Sequence, residues 1–406
     1  MTLGIGFVIA AMAKSAAAKL DDTTSKALII TPQYEQRERF EKRNNKAFND
    51  SVADSRSDLY SRFRPGFKFT LGDTVSGEAI YQYAHDLYWS HSGNGSTDNS
   101  DLLVGYAKFK TVDGDWSIGR ERLKKGNERL LGESGWNNLS NSFDVVRFQG
   151  NGLDLFGGKI GVYQSNSAAA RILGGSYDSN FGETMFLITH DDTKNVTTDD
   201  YTLDHLLKAS VGGVNLELEG AYQLGHKNTV QSRAWALSGR ATKNLTQKWS
   251  VTLEANAASG GTQKDGTSTA FNNLYPTNHF YYGNEDLQGW SNMGEIDLET
   301  AYKVCPTAKL TAEYHHFWLH DASDPWFGNS GAANKYGTAT FVDPTGASGK
   351  DVGQEVSLDL NVDVRKNVSF MTGIADFMPG RFVESFVTTG NVVKQFWVYA
   401  QVNVKF

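Results

Sequence analysis

The histidines and carboxylates near residue 318 are the first candidates for chemistry in this sequence. His315 and His316 are adjacent, and His320 and Asp321 follow closely, so the group could be drawn as a metal site. On a β-strand, however, adjacent side chains point to opposite faces, and at most one of the two neighbouring histidines can reach a given site. Residues 190–192 form a second cluster, His-Asp-Asp, where a strand meets a loop and a solvated rim explains it. We therefore predict no catalytic, cofactor-binding or metal site, and no enzyme.

Basic residues at alternate positions indicate another chemistry, the handling of anions. Arg62 and Arg64 would share one face of a strand and lie about 7 Å apart. An arginine binds a carboxylate through two N–H groups and stays charged at every relevant pH. At this spacing a carboxylate could move from one guanidinium group to the next. The predicted basic lining comprises Arg37, Arg39, Arg62, Arg64, Lys68 and Lys108.

Acidic residues take the equivalent positions later in the chain. The predicted acidic lining comprises Glu217, Glu219, Glu254, Glu295 and Asp297. A lumen that is basic on one side and acidic on the other would impose a transverse electric field, which orients polar or zwitterionic solutes. Uniform selectivity for polyanions does not follow from this pattern.

The elements that must carry these residues are strands, because apolar and polar residues alternate with a period of two. Residues 214–224 are typical, with valine, leucine and tyrosine on one face and asparagine, glutamate and glutamine on the other. We count eighteen such segments, and the alternation is weakest in those near 115, 171 and 183. The segments begin near residues 28, 58, 75, 102, 115, 142, 153, 171, 183, 201, 214, 232, 248, 293, 307, 354, 367 and 393.

The connections between these segments alternate between tight turns and long polar loops. The long loops are predicted at about 43–57, 88–100, 121–141, 258–291, 321–352 and 378–392. Short turns on one rim and long loops on the other are what a β-barrel of the bacterial outer membrane requires. We predict an all-β, antiparallel, up-and-down transmembrane barrel of eighteen strands, with sixteen as the alternative, with short periplasmic turns and long extracellular loops.

Composition and the end of the chain bear on the same prediction. The chain has 406 residues, a single cysteine and a formal net charge of −7, which exclude a disulfide framework and disfavour a basic nucleic-acid binder. A soluble β-sandwich or propeller would also show alternation. The final segment alternates up to a terminal aromatic residue, Phe406, which resembles the signal read by the outer-membrane assembly machinery. This favours the membrane interpretation.

The first residues read as a targeting segment. An apolar stretch from Leu3 to Ala13 precedes the small residues of 15–18, as in a secretory signal that lacks its basic start. We expect a signal peptide at 1–18, a short segment at 19–25, and one barrel domain at 26–406.

Two blocks of sequence resemble the alginate export family of outer-membrane porins. The first runs from Trp116 to Arg147 and includes the stretches WSIGRE, GNERLLG, WNN and SFDVVR. The second is FNNLYPTNH at 271–279 with Tyr282, Gly283 and Asp286 after it, followed by EYHHFW at 313–318. The resemblance implies an eighteen-stranded barrel with a charged lumen that passes an acidic polysaccharide. It also implies a place in that lumen for Arg120, Arg129 and Arg147, although they could instead tie the loop after the fifth strand to the wall through Glu121 or Asp144.

The function we expect is passive passage of polar or anionic solutes, such as oligo- or polysaccharides that contain uronates, across the bacterial outer membrane. A general or small-solute porin is the alternative, and a loop-plugged binding or enzymatic barrel is a weaker one. The expected partners are outer-membrane lipid, the assembly machinery and an anionic or polar oligosaccharide. We expect no nucleic acid, no cofactor and a monomer.

Overall fold

The computed structural model describes residues 27–161, 170–192, 197–263, 265–336 and 338–406. The predicted signal peptide and the segment after it lie outside the described residues. Within the described part of the chain, no helix combines the length and apolar character needed to cross a bilayer.

The chain forms one closed antiparallel barrel of eighteen strands, which confirms the prediction. Each strand pairs with the next along the chain, and the last strand pairs with the first, which leaves no open edge. The first ten strands are β1 (Leu28–Asn44), β2 (Arg56–Leu71), β3 (Val75–Ser90), β4 (Gly93–Lys110), β5 (Asp115–Glu121), β6 (Phe143–Gly150), β7 (Leu153–Ile160), β8 (Arg171–Ser179), β9 (Gly182–Asp191) and β10 (Thr198–Val211).

The second half of the ring follows the same pattern. Its strands are β11 (Val214–Lys227), β12 (Val230–Asn244), β13 (Trp249–Ala258), β14 (Met293–Cys305), β15 (Ala308–Trp318), β18 (Asp351–Arg365), β19 (Val368–Pro379) and β20 (Gln395–Lys405). A small hairpin of β16 (Lys335–Tyr336) and β17 (Ala339–Thr340) lies in the loop between β15 and β18, outside the barrel sheet. The described residues also include a 3-10 turn, Asn278–Phe280, and a helical turn, Arg381–Glu384.

The weak segments near 115, 171 and 183 are all strands, namely β5, β8 and β9. The stretch 88–100, predicted as a long loop, is instead the tip of a hairpin, because β3 continues to Ser90 and β4 begins at Gly93. Its polar residues made the stretch look like a loop. Above the membrane both faces of a hairpin can be polar, so the alternation that marks a spanning strand is lost there.

The alternation has the orientation predicted from the sequence. On β11 the side chains of Leu218, Tyr222 and Leu224 are 49%, 49% and 45% exposed, whereas Glu219 and Gln223 are buried. Apolar residues therefore face the lipid, and polar residues face the lumen.

The apolar core lies inside the extracellular half of the barrel. Its members come from strands and from loops that fold inward, among them Phe48, Leu130, Phe271, Trp290, Trp326, Phe341 and Phe382. The long loops are therefore packed against one another within the ring.

Candidate functional site

Two walls of opposite charge face each other across the lumen. The basic wall consists of the inward side chains Arg37, Arg39, Arg62 and Arg64 of β1 and β2. The acidic wall consists of the inward carboxylates Asp204, Glu219, Glu254, Glu295 and Asp297 of β10, β11, β13 and β14. β2 and β11 are diametrically opposite in the ring of eighteen strands. The structure thus places the arginines and most of these carboxylates on opposite sides of the lumen, as expected from the sequence. Glu35 of β1 is an inward carboxylate within the basic wall, where it pairs with Arg62 at 2.5 Å and Arg64 at 3.3 Å.

Residues 122–142, here called the cross-lumen loop, connect β5 to β6 by way of the barrel interior. At the basic wall, arginines hold the loop by its backbone carbonyls. The Arg37 guanidinium donates to the carbonyl oxygens of Gly135 at 3.1 Å and Trp136 at 2.8 Å. Arg62 donates to the carbonyl of Asn137 at 2.9 Å. The basic wall therefore fixes the position of the loop through backbone carbonyl oxygens, which are present whatever the side chains of the loop.

The remaining two arginines of the basic wall also bind the loop. Arg39 donates to the Trp136 carbonyl at 2.6 Å, and its guanidinium lies 4.1 Å from the centre of the Trp136 ring. Arg64 donates to the Ser140 hydroxyl at 2.7 Å. All four guanidinium groups thus have partners within the protein. We predicted these arginines as binding positions for a solute, but the cross-lumen loop takes up many of their hydrogen bonds.

At the acidic wall the loop is held by one buried arginine. The Arg129 Nη2 atom lies 2.5 Å from Glu254 Oε1, and its Nε atom lies 3.4 Å from Glu219 Oε2. The same guanidinium donates to the Tyr282 hydroxyl at 2.9 Å and lies over the Tyr281 ring at 3.8 Å. Burial lowers the pKa of Arg129, but the charges of Glu254 and Glu219 raise it more, and the resulting pKa is well above its ordinary value. Arg129 stays charged and anchors the loop at the far wall.

The loop between β13 and β14, residues 259–292, is here called the capping loop, and it pairs with the cross-lumen loop. The Gly132 amide donates to the Tyr275 carbonyl at 2.8 Å, and the Tyr275 amide donates to the Leu130 carbonyl at 3.0 Å. The His279 ring stacks on the Trp136 ring with centroids 3.8 Å apart. The two sequence blocks that carry the family resemblance therefore meet inside the barrel.

Above these loops lies an extracellular vestibule, a cavity of about 750 Å³. Its floor includes Trp136, and its cationic side chains are Arg39, Arg43, Lys46 and Arg56. Arg43 shares the face of Arg37 and Arg39, and Arg56 shares the face of Arg62 and Arg64. The alternation could therefore have identified both, although we did not predict them.

The vestibule also contains carboxylates, and most of them have partners. Arg39 pairs with Glu41 at 2.7 Å, and Arg56 pairs with Asp58 at 2.5 Å. Lys46 is exposed, and the described residues give it no ion pair. The vestibule is thus a polar chamber with both signs of charge and one unpaired cation at its rim.

The other predicted lining residues lie in several places. Lys68 and Lys108 lie on the lumen face near the periplasmic ends of their strands, and Lys108 pairs with Asp115 at 2.9 Å. Glu217 accepts a hydrogen bond from Asn127 of the cross-lumen loop at 2.9 Å. On β14, Glu295 and Asp297 flank His315, at 2.8 and 3.7 Å.

Arg120 corrects one prediction, because it lies on the outer face of the barrel. It shares a face with Ile118, which is 43% exposed, and its guanidinium pairs with Asp101 at 2.8 Å and Asp144 at 2.6 Å. Arg147 does face inward, but it pairs with Glu121 at 3.0 Å and Asp154 at 2.6 Å. Both arginines join neighbouring strands to one another, whereas the alternative raised from the sequence was that they tie the loop after the fifth strand to the wall.

The adjacent histidines lie on opposite faces, as expected for a strand. His315 is buried in the lumen, and His316 is exposed on the outside, where it contacts Asp351 at 3.0 Å. In the described part of the chain, no cluster of three or more His, Cys, Asp or Glu side chains is arranged to hold a metal ion.

Comparison with known proteins decides the family. Residues 175–394, more than half of the chain, match the family model described as alginate export. This chain belongs to the alginate export family. The matched range includes the sequence block at 271–286, whereas the block at 116–147 precedes it. As a member of this family with a closed eighteen-stranded barrel, the protein is a channel-type barrel of the bacterial outer membrane.

Solved structures share the fold of this alginate export family barrel at low sequence identity. OccK2 (OpdF) of Pseudomonas aeruginosa, crystallised with glucuronate, has a TM-score of 0.58 at 12% identity, covering 93% of this chain and 98% of that one. OprD of the same organism has a TM-score of 0.56 at 12% identity, covering 93% of each chain. OccAB2 of Acinetobacter baumannii has a TM-score of 0.59 at 12% identity, covering 93% and 98%. No curated protein matches the chain in sequence.

Proposed function

We propose that this barrel is a passive channel for polar solutes that carry a carboxylate, with sugar acids as the class. The observation that carries the proposal is the set of cations that line the vestibule, namely Arg43, Lys46 and Arg56. Arg43 pairs with Glu285 at 3.4 Å and Arg56 with Asp58, whereas Lys46 has no ion pair among the described residues. A planar guanidinium binds a carboxylate through two hydrogen bonds, and a water-filled chamber keeps each contact weak enough for release.

The carboxylates of the vestibule fit the rest of a sugar acid. Asp58 and Asp86 line the chamber near Arg56, and carboxylates accept hydrogen bonds from hydroxyl groups. A uronate presents one carboxylate and several hydroxyls. The transverse field between the two walls would hold such a solute in one orientation as it approached the cross-lumen loop.

The comparisons support this solute class. The family description names alginate, which is a polymer of uronates. One neighbour of similar fold, OccK2, was crystallised with glucuronate, also a uronate. In this proposal the cross-lumen loop is the constriction, and transport involves no catalysis.

A second candidate is a channel for small cationic or zwitterionic solutes. The acidic wall favours it, because its five carboxylates face the lumen and outnumber their basic partners among the described residues. Arg129 and Arg240 pair with Glu219 and Glu254, and His315 lies beside Glu295 and Asp297. The lumen beside the acidic wall, rather than the vestibule, would then select an ammonium group over a carboxylate.

Single-channel recording in planar bilayers separates the two. Glucuronate, glucosamine and glucose are added in turn to the extracellular side, and the block of the ionic current is measured. We expect glucuronate to block most strongly, and Lys46→Gln with Arg56→Gln to weaken that block without changing the effect of glucose. The control, Lys243→Gln with Lys366→Gln, removes the same charge from exposed positions outside the vestibule. Stronger block by glucosamine would favour the second candidate, and equal weak block by all three would indicate a general porin.

A further inference from the structure

A row of polar and charged side chains crosses the outside of the barrel at one level. The strand register places these residues directly opposite one another on successive strands from β5 to β10, all on the outward face. The row is Arg120, Asp144, Lys159, Arg171, His190 and Asp199. Directly opposite residues on neighbouring strands have Cβ atoms about 5 Å apart, so the row is continuous.

The row lies at the extracellular edge of the membrane-facing surface. Two residues closer to the periplasm on the same strands, the outward positions are apolar or glycine: Ile118, Val146, Gly157, Leu173, Ile188 and Tyr201. Beyond the row, towards the outside, the strands end and the extracellular loops begin. Such a step from apolar to charged marks the boundary between acyl chains and head groups.

Most charges in the row are neutralised within the protein. Arg120 pairs with Asp101 and Asp144, and His190 contacts Asp199 at 2.6 Å. Lys159 and Arg171 are the exception. They are exposed, they lie directly opposite each other on β7 and β8, and the described residues give neither of them an ion pair.

Two like charges directly opposite on a sheet repel each other. The sequence that joins them, residues 162–169, contains no aspartate or glutamate that could neutralise them. On its other side Lys159 lies opposite Asp144, but both carboxylate oxygens of Asp144 accept hydrogen bonds from Arg120. An anion from outside the chain would therefore relieve the repulsion.

We propose that Lys159 and Arg171 bind the phosphate group of a phosphorylated glycolipid in the outer leaflet of the membrane. A phosphate carries the complementary charge, the arginine fork binds two of its oxygens, and the lysine adds a point charge. The apolar side chains below the pair, Leu173 foremost, lie where the acyl chains of such a lipid would run, and Leu173 is 48% exposed. The site thus holds a lipid at the head-group boundary on the side of the barrel formed by β7 and β8.

Native mass spectrometry of the purified, folded barrel tests this site. The probes are bis-phosphorylated lipid A, the same lipid after enzymatic removal of its phosphates, and inorganic phosphate alone. We expect the wild-type protein to retain the phosphorylated lipid and to bind the dephosphorylated lipid and free phosphate far more weakly. Since a basic residue near an anionic membrane surface contributes about a factor of five in affinity, Lys159→Ala with Arg171→Ala should weaken binding by roughly 25-fold.

Two further variants complete the test. The exchange Lys159→Arg with Arg171→Lys keeps both charges and should keep most of the binding. Lys243→Ala with Lys366→Ala removes two exposed cations at the periplasmic end and should leave binding unchanged. Equal retention of phosphorylated and dephosphorylated lipid by the wild-type protein would overturn the proposal even if the alanine variant failed to fold. Equal loss in the periplasmic control would overturn it as well, because the attraction would then be unspecific.

Discussion

Arg129 and Glu254 form an ion pair with a separation of 2.5 Å in the middle of the barrel, and both side chains are 1% exposed. Arg129 belongs to the cross-lumen loop, and Glu254 belongs to the acidic wall. The other end of the same loop is held by Arg37 and Arg62 on the opposite wall. The cross-lumen loop therefore spans the lumen from the basic wall to the acidic wall, and the proposed function places it on the path of the solute.

The first prediction concerns this ion pair. Arg129→Met should detach the loop from the acidic wall, because it leaves Glu219 and Glu254 buried without their guanidinium, at a cost of about 3–5 kcal/mol. We expect faster hydrogen exchange in residues 126–133 while the strands keep their protection.

The matched control is Arg122→Met, which removes a more exposed arginine of the same loop, paired with Glu133 at 2.9 Å. This pair is only partly buried, and Glu133 keeps Lys124 as a second partner at 2.5 Å, so the variant should cost about 1 kcal/mol or less and leave exchange nearly unchanged. Equal exchange rates in the two variants would show that the Arg129 pair does not hold the loop.

The second prediction concerns the lipid face. Leu218→Arg and Leu253→Arg should each destabilise the barrel by about 2–4 kcal/mol, because both side chains face the membrane, at 49% and 54% exposure. Asn215→Arg is the control, since Asn215 is an exposed residue on the lumen face of β11. Heat-modifiability gels measure the loss of folded barrel. Similar losses in all three variants would contradict the assignment of the faces.

Glu219 is not a suitable control for that experiment, although its polar face alone suggests that Glu219→Arg would be tolerated. The side chain is buried and lies 3.4 Å from Arg129, so a second arginine there would repel the anchor of the loop. The expectation that any lumen position tolerates a charge is wrong where a folded loop fills the lumen.

The strands were predictable from the sequence, because a membrane-spanning strand has one face towards lipid and the other towards the aqueous lumen. Apolar and polar residues must therefore alternate with a period of two. The short strand β5 shows the limit. Trp116, Ile118 and Arg120 share its outer face, so the alternation alone placed Arg120 outside. The resemblance to the family motif led us to predict a position in the lumen instead.

The position of the cross-lumen loop could not be derived from the sequence. Arg37 and Arg62 bind the loop through its backbone carbonyl groups, which every residue carries. No pattern of side chains in the loop therefore predicts the contact. The Arg129 anchor joins residues far apart in sequence across the ring, and its partners become apparent only when β11 and β13 are placed opposite β2.

The third prediction concerns pH. Burial raises the pKa of Glu285 in the capping loop well above its ordinary value; Arg43 lowers it, and the nearby Glu355 raises it. A carboxyl with a raised pKa in the folded state stabilises the fold below its unfolded pKa, and this contribution is lost as pH rises through the folded pKa. The capping loop should therefore loosen as pH rises above the ordinary glutamate range.

Hydrogen-exchange protection of residues 283–287, corrected for intrinsic rates, measures this loosening. Glu285→Gln keeps the shape of the side chain and removes its titration, so its protection should vary less with pH than that of the wild-type protein. Protection that is independent of pH in the wild-type protein would rule out a role for this carboxyl.

The fourth prediction concerns assembly. The Phe406 amide donates to the Tyr34 carbonyl at 2.9 Å, the Tyr34 amide donates to the Phe406 carbonyl at 3.1 Å, and the Phe406 side chain is 69% exposed. Deleting Phe406 removes both closing hydrogen bonds and the terminal aromatic ring, and should reduce the amount of folded barrel in the outer membrane without changing synthesis. Phe406→Tyr keeps the bonds and the ring and should assemble normally. Normal levels of folded barrel after the deletion would refute the role of Phe406.

The most direct test of the account is the single-channel conductance of a barrel without its cross-lumen loop. Residues 126–139 are replaced by a short Gly-Ser linker, which removes the Arg129 anchor and the carbonyls bound by the basic wall, and folding is verified by heat-modifiability. We predict a several-fold higher conductance than in the wild-type protein, with weaker discrimination between glucuronate and glucose, because the constriction is gone and the walls are solvated. A conductance equal to that of the wild-type protein would contradict the claim that this loop controls passage through the lumen.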